Sequence, residues 1–81
     1  MTFAIAILNY NGSILLKKFI PKVIENCNGT KVYLIDNNSS DSSVDFISKN
    51  YPEIDVIKLS DNFGYAKGYN MGVKEIDEDV I

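Results

Sequence analysis

The sequence predicts an α/β protein built on a parallel sheet, and three observations carry that prediction. Apolar runs suited to strands alternate with amphipathic stretches suited to helices from one end of the chain to the other. The first run, Phe3, Ala4, Ile5, Ala6, Ile7 and Leu8, has no polar residue to turn toward water, as expected of a strand covered on both faces. Polar clusters rich in asparagine, aspartate and serine follow each of the three runs.

The elements can be justified in order. Residues 3–8 form the first strand. After Asn9, Tyr10, Asn11 and Gly12, residues 13–26 place Leu15, Leu16, Phe19, Ile20, Val23 and Ile24 at helical spacing, so an amphipathic helix is expected. Pro21 lacks an amide hydrogen, which predicts a kink there, or two short helices with Pro21 in the first turn of the second. Asn28 and Gly29 make a turn, and residues 31–35 (Lys31, Val32, Tyr33, Leu34, Ile35) form a β-branched and aromatic second strand that stops at Asp36. Ser40, Asp41 or Ser42 can cap the next helix, which runs to about Tyr51 with Val44, Ile47 and Tyr51 on its buried face, and Pro52 ends it. Residues 55–59 are the third strand, residues 63–76 the third helix, and Val80 with Ile81 resembles a fourth strand beginning. The order β-α-β-α-β-α implies right-handed crossovers and a Rossmann-like parallel sheet with both faces covered.

Composition narrows the chemistry. With 81 residues the chain can build one core, and a domain of this size buries only roughly 60–65% of its unfolded surface, little for an enzyme that must enclose two substrates. It holds 8 lysines and no arginine against 11 acids, for a net charge of −3, which argues against a nucleic-acid partner. Histidine is absent, so neither a serine–histidine or cysteine–histidine triad nor histidine-ligated zinc can be assembled. Cys27 is single, excludes an internal disulfide and reads as a small core residue. The first apolar run is too short, and lacks the basic flank, for a signal sequence or a membrane span, so no transmembrane segment is expected and the default compartment is the cytoplasm.

In an open parallel sheet, ligands bind at the carboxyl ends of the strands. The loops there, Asn9 to Gly12, Asp36 to Asp41 and Ser60 to Gly64, are dense in donors and acceptors, whereas the opposite turns are short and plain. Asp36 could accept two hydrogen bonds from ribose hydroxyls or a pyrimidine imide, or could close an Asx-turn. Tyr10 could stack on a base or bury its ring. Gly64, Gly68 and Gly72 lie four apart on one helix face, and each interior glycine costs about 1 kcal/mol relative to alanine. Either the helix packs tightly on the sheet or its backbone faces a diphosphate or sugar. Lys67, Lys74 and Glu75 interrupt this segment and exclude a membrane-dimer reading, and Lys67 is expected to face solvent. Asn70 could bind a ligand or point into water. Neither GxGxxG nor GxxxxGK[ST] follows the first strand, although Asp36 stands about 20 residues on, where a dinucleotide domain carries its ribose-binding acid.

Three segments in order match something specific: Ile5 to Gly12, Leu34 to Ser43, and Asp61 to Gly72 with its Asn-Phe-Gly-Tyr-Ala-Lys-Gly-Tyr-Asn core. Together they resemble the start of the family 2 glycosyltransferases, nucleotide-sugar-dependent enzymes of the GT-A fold, and the rhamnosyltransferase-like branch in particular. The resemblance covers nearly the whole chain. It implies that residues 1–81 are a single, truncated nucleotide-sugar-binding (donor) half of a glycosyltransferase domain, the N-terminal nucleotide-binding part of a GT-A fold. Leu8, Asn9, Tyr10, Asn11 and Asp36 would line the nucleoside pocket, with Asp36 on the uracil or thymine imide and Asn38 nearby. Asn62, Gly64, Gly68 and Asn70 would shape the region beside ribose and diphosphate. Tyr69 stands where many relatives carry arginine, a departure that fits the rhamnosyltransferase-like branch.

The resemblance further implies inverting transfer of a sugar from a UDP- or dTDP-linked donor to a glycan or lipid-linked acceptor hydroxyl, in polysaccharide or cell-surface glycan synthesis. The setting would be cytoplasmic, at the cytoplasmic face of the membrane. A divalent cation, Mg or Mn, would be held by ligands beyond Ile81, and the catalytic base would also lie beyond it, so no residue of this chain is expected to be catalytic or metal-ligating. The alternative is a non-catalytic Rossmann-like nucleotide-binding or interaction module. A sugar nucleotidyltransferase is disfavoured, because the glycine- and arginine-containing loop after the first strand is missing.

Overall fold

The computed structural model describes residues 3–76. The elements are β1 (Ala4–Asn9), α1 (Ser13–Asn26), β2 (Lys31–Asp36), α2 (Ser43–Asn50), β3 (Asp55–Lys58) and α3 (Tyr65–Val73). The strands form one parallel sheet in the order β1-β2-β3, with Asn9 paired to Asp36 and Asp36 to Lys58 at its carboxyl edge. This is the α/β Rossmann-like arrangement the sequence predicts. The fourth strand expected at Val80 and Ile81 lies outside the described residues.

The sheet explains which residues form the core. Val32 and Leu34 of β2 point to the face covered by α1 and α2, where they meet Leu16, Ile20, Ile47 and Ile54. Side chains alternate along a strand, so Ile35 points to the opposite face. There it lies against Gly72 of α3, which crosses β1 and β2. Each such buried aliphatic side chain contributes roughly 1.5–3 kcal/mol. Cys27 caps α1 and packs half-buried against the core, its thiol bonded to the Ile24 carbonyl at 3.3 Å.

Three expectations are corrected and one pair of alternatives is narrowed. β2, not β1, is the strand buried on both faces: among the described residues β1 has a neighbour on one side only, and Ile5 to Leu8 are half-buried. Of the two alternatives at Pro21, the one with two short helices does not hold, since α1 is a single helix through it. Pro21 and Lys17, the residue whose carbonyl loses its partner, are both exposed, so water can replace the missing amide. Of the apolar stripe on α1, only Leu16 and Ile20 are buried, while Leu15 and Phe19 are exposed. α3 begins at Tyr65 because Gly64 sits at φ +79°, which the right-handed helix does not admit. No helix among the described residues is long and apolar enough to cross a membrane.

Candidate functional site

The carboxyl edge of the sheet is held together by amide and hydroxyl side chains. Asn9 ends β1 and is 4% exposed. Its Nδ2 donates to Asp36 Oδ1 at 2.9 Å and to Ser43 Oγ at 2.9 Å, with Ser39 Oγ at 3.2 Å. Its Oδ1 accepts the Gly12 amide at 3.2 Å, and a Cβ on Gly12 would stand 2.6 Å from that oxygen. The turn into α1 therefore needs glycine because the asparagine amide occupies the space.

Asp36 ends β2 and is completely buried. Oδ1 accepts Asn9 Nδ2 and the Ser39 hydroxyl at 2.6 Å, and Oδ2 accepts the Ser39 amide at 2.9 Å. Both carboxylate oxygens are thus taken by the chain itself. Of the two roles open to this residue in the sequence, the loop-closing one is the one its bonds describe. Ser39 carries the link onward, its Oγ accepting the Asn11 amide at 2.9 Å, while Asn11 Oδ1 accepts the amides of Ser40 at 2.8 Å and Asp41 at 3.2 Å. Asn11 and Asn38 hold positive φ, at 50° and 64°, a conformation asparagine adopts more readily than most residues.

The third loop is tied in by Asn37, a residue the sequence did not single out. It is 2% exposed; its Oδ1 accepts the Phe63 amide at 2.9 Å and its Nδ2 donates to the Gly64 carbonyl at 3.0 Å. Behind it lies Gly68, where a Cβ would come within 2.9 Å of the Asn37 amide nitrogen. Gly68 and Gly72 accordingly match the tight-packing alternative, against Asn37 and Ile35, and Gly64 is the turn before the helix, not part of its face. The only local signal for Asn37 was its place at the strand end beside Asp36; its pairing with Gly68 is a tertiary fact.

The remaining expected residues divide between two cavities and the surface. A cavity of about 140 Å³ is lined by Tyr10, Asn37, Asn62, Gly64 and Tyr65. Its lining is mostly apolar, and at its rim Asn62 Oδ1 accepts the Gly64 amide at 3.0 Å. A larger one, about 330 Å³, is apolar and bounded in part by Leu8, Asn9, Tyr10, Leu15 and Phe19. Asn11, Asn38 and Asn70 are exposed and line neither. Lys67 is exposed, its Nζ 5.3 Å from the centre of the Phe63 ring. Among the described residues, no group of three or more His, Cys, Asp or Glu is placed to hold a metal ion, so these side chains do not fit the expected cation and no step is assigned through it.

Asp41 joins the starts of two helices. Its carboxylate accepts the Ser13 amide of α1 at 3.1 Å and the Ser43 amide of α2 at 3.0 Å, and it also bonds the Ser43 hydroxyl. Slight desolvation at this exposed position pushes its pKa up, but the Ser43 and Ser13 bonds outweigh this and hold it below the ordinary 3.8. A lowered folded-state pKa means its stabilisation is complete above the unfolded value and is lost as pH falls through the folded one. Asp41→Ala is expected to lower stability at pH 7 by about 1 kcal/mol, as loss of a helix cap does. Denaturant midpoints at pH 6 and pH 3 should differ less in the variant than in the parent; equal differences would refute the assignment.

The chain is similar in fold to a mannosyltransferase from Pyrobaculum calidifontis, solved in complex with GDP-Man and Mn2+. The TM-score is 0.78 at 16% identity over 96% of this chain, which spans 25% of that protein. The described residues therefore have the architecture of a GT-A glycosyltransferase. No curated protein matches the sequence. The sequence profile of Glycosyl transferase family 2 matches residues 4–81, the whole of the described sheet and its loops, and the chain belongs to that family.

Proposed function

We propose that this chain supplies the nucleotide-recognition surface of a glycosyltransferase that uses a nucleotide-diphosphate sugar. The observation that carries the reading is the bracing of three strand-end loops into one surface, with Asn9 and Asp36 beneath it and Tyr10, Asn62 and Gly64 facing a cavity. Preorganised polar groups at the carboxyl edge suit a planar base and its ribose, because no ordering of the loops has to accompany binding. Asp36 acts here as a positioning residue, and the contacts to the nucleoside come from the residues it holds in place.

The finer assignment follows the family resemblance. The donor is UDP- or dTDP-linked, the transfer inverts configuration at the anomeric carbon, and the acceptor is a hydroxyl of a glycan or lipid-linked saccharide in surface polysaccharide synthesis. The rhamnosyltransferase-like branch is the nearest in motif, and the setting is the cytoplasmic face of the membrane. Catalytic base and cation ligands belong to parts of the enzyme outside the described residues, so residues 1–81 form the donor half.

Calorimetric titration of the intact protein with UDP, dTDP and GDP tests this reading. Binding of at least one, weakened severalfold by Asn62→Ala with the fold unchanged by circular dichroism, is expected. The absence of binding by all three, in buffer with and without Mg2+ or Mn2+, would overturn it. Tighter binding of GDP would keep the transferase reading and replace the donor class.

A further inference from the structure

The chain carries two Asn-Gly steps, Asn11-Gly12 before α1 and Asn28-Gly29 after it. Such a step is chemically labile. The backbone nitrogen of the second residue can attack the side-chain carbonyl carbon of the asparagine, and glycine leaves that approach open because it has no Cβ. Each of the other asparagines is followed by a residue with a side chain. The two steps are close to a matched pair: both asparagines are exposed, and both hold positive φ, 50° at Asn11 and 52° at Asn28.

Their hydrogen bonds separate them. Asn11 Oδ1 accepts the amides of Ser40 at 2.8 Å and Asp41 at 3.2 Å. The Gly12 nitrogen, the atom that would attack, donates to Asn9 Oδ1 at 3.2 Å, and the Gly12 carbonyl accepts the Leu16 amide at 2.8 Å in the first turn of α1. Bringing that nitrogen onto the Asn11 side chain would part the loops that these bonds hold together. At the other step, neither the Asn28 side chain nor the Gly29 amide has a hydrogen-bond partner among the described residues, and a Cβ built on Gly29 would meet nothing within 4 Å. The bond that closes this turn, from the Thr30 amide to the Cys27 carbonyl at 2.9 Å, spans the step without engaging it.

We propose that Asn28 is a site of spontaneous covalent modification and that the fold protects Asn11 from the same reaction. The Gly29 nitrogen gives up its proton to solvent and bonds to Asn28 Cγ; the Cγ–Nδ2 bond breaks and ammonia leaves, closing a succinimide ring. Water then adds to one of the two ring carbonyls and reopens the ring as aspartate, or as isoaspartate with the main chain running through the former side chain. One water is taken up and one ammonia released, with no oxidation or reduction. Each event adds a negative charge to a chain whose formal net charge is −3. The isoaspartate product also lengthens the main chain in the turn between α1 and β2, at the sheet edge opposite the strand-end loops. The inference is independent of the nucleotide reading of those loops.

The test follows the intact, folded protein in warm, mildly alkaline buffer by peptide mass spectrometry, relative to the unincubated sample. Trypsin places the two steps in separate peptides, residues 1–17 and 23–31. Residue 28 is expected to gain about one dalton at a rate roughly tenfold or more above that at residue 11, because reaction there must first break several bonds. In denaturant the two rates should come within about threefold of each other, since the fold no longer distinguishes them. Equal rates in the folded protein, or a residue 28 that stays an amide while the denatured chain converts, would overturn the proposal. Slow conversion at residue 11 in denaturant as well would assign the difference to local sequence and overturn the protective role of the bonds. Isoaspartate is expected in the product, and aspartate alone would overturn the succinimide route, because direct hydrolysis of the side-chain amide gives only aspartate.

Discussion

Asp36→Ala is expected to destabilise the protein by about 3 kcal/mol, which in a domain of this size lowers the thermal midpoint by more than 10 °C. The reason is the number of donors left without an acceptor at a fully buried position. The Ser39 amide and hydroxyl both lose their bonds to the carboxylate, and Asn9 Nδ2 loses one of its acceptors. Leaving such groups unmade in the interior costs roughly 1–3 kcal/mol each, and partial relaxation keeps the total below the sum. Asp36→Asn keeps the volume but sets an amide donor among donors, so an intermediate loss is expected. Asn38→Ala, two residues on and exposed but at φ 64°, should lose only about 1 kcal/mol, the cost of alanine in the left-handed region. Chemical denaturation of the three variants measures all of this. A stable Asp36→Ala protein that has lost only nucleotide affinity would return Asp36 to direct contact with the base.

The second large effect is expected at Gly72. A Cβ there would meet three atoms of Ile35, Cγ2 at 2.5 Å and Cδ1 and Cγ1 at 2.6 Å. Ile35 is completely buried in the central strand, so its side chain cannot swing aside into solvent. In an exposed helix, glycine to alanine would add about 1 kcal/mol of stability; in this contact, overpacking costs roughly 1–3 kcal/mol and exceeds that gain. Gly72→Ala is therefore expected to be destabilising, by about 1–2 kcal/mol. Ile35→Ala alone opens a cavity, which the new methyl at position 72 partly fills. The double variant should accordingly be more stable than the two single losses added together, by about 1 kcal/mol in a double-mutant cycle. Strict additivity would show that the two residues are not in the contact described.

Much of the fold was legible because hydrophobic period is local. Val32, Leu34 and Ile35 announce a central strand, Leu16 and Ile20 a helix that covers it, and all six elements occur in the order read. What the pattern could not resolve was set by tertiary partners. The apolar stripe on α1 gave no warning that Leu15 and Phe19 would stay exposed, since periodicity names a face and not what lies against it. Pro21 argued for a kink or a break, and a single helix continues because its cost falls where water can reach. At the candidate site, the three loops were identifiable from composition, but the division of labour within them was not. Asparagine reads alike whether it faces a ligand, as the Asn62 beside the cavity can, or braces two loops, as Asn9 and Asn37 do. Only the bond partners separate the two.

The bonds that unite the three loops join residues 26 to 34 positions apart. Closing loops of that length carries an entropic cost that must be met before any of these contacts forms. The surface therefore has no existence in a half-formed chain: a hairpin-sized piece or an isolated strand-helix unit cannot display it. It arises with the docking of β1 on β2 and of α3 across both, and it disappears with them. A ligand held there is in consequence a ligand for the native ensemble as a whole, so its binding free energy adds to global unfolding instead of protecting a local patch.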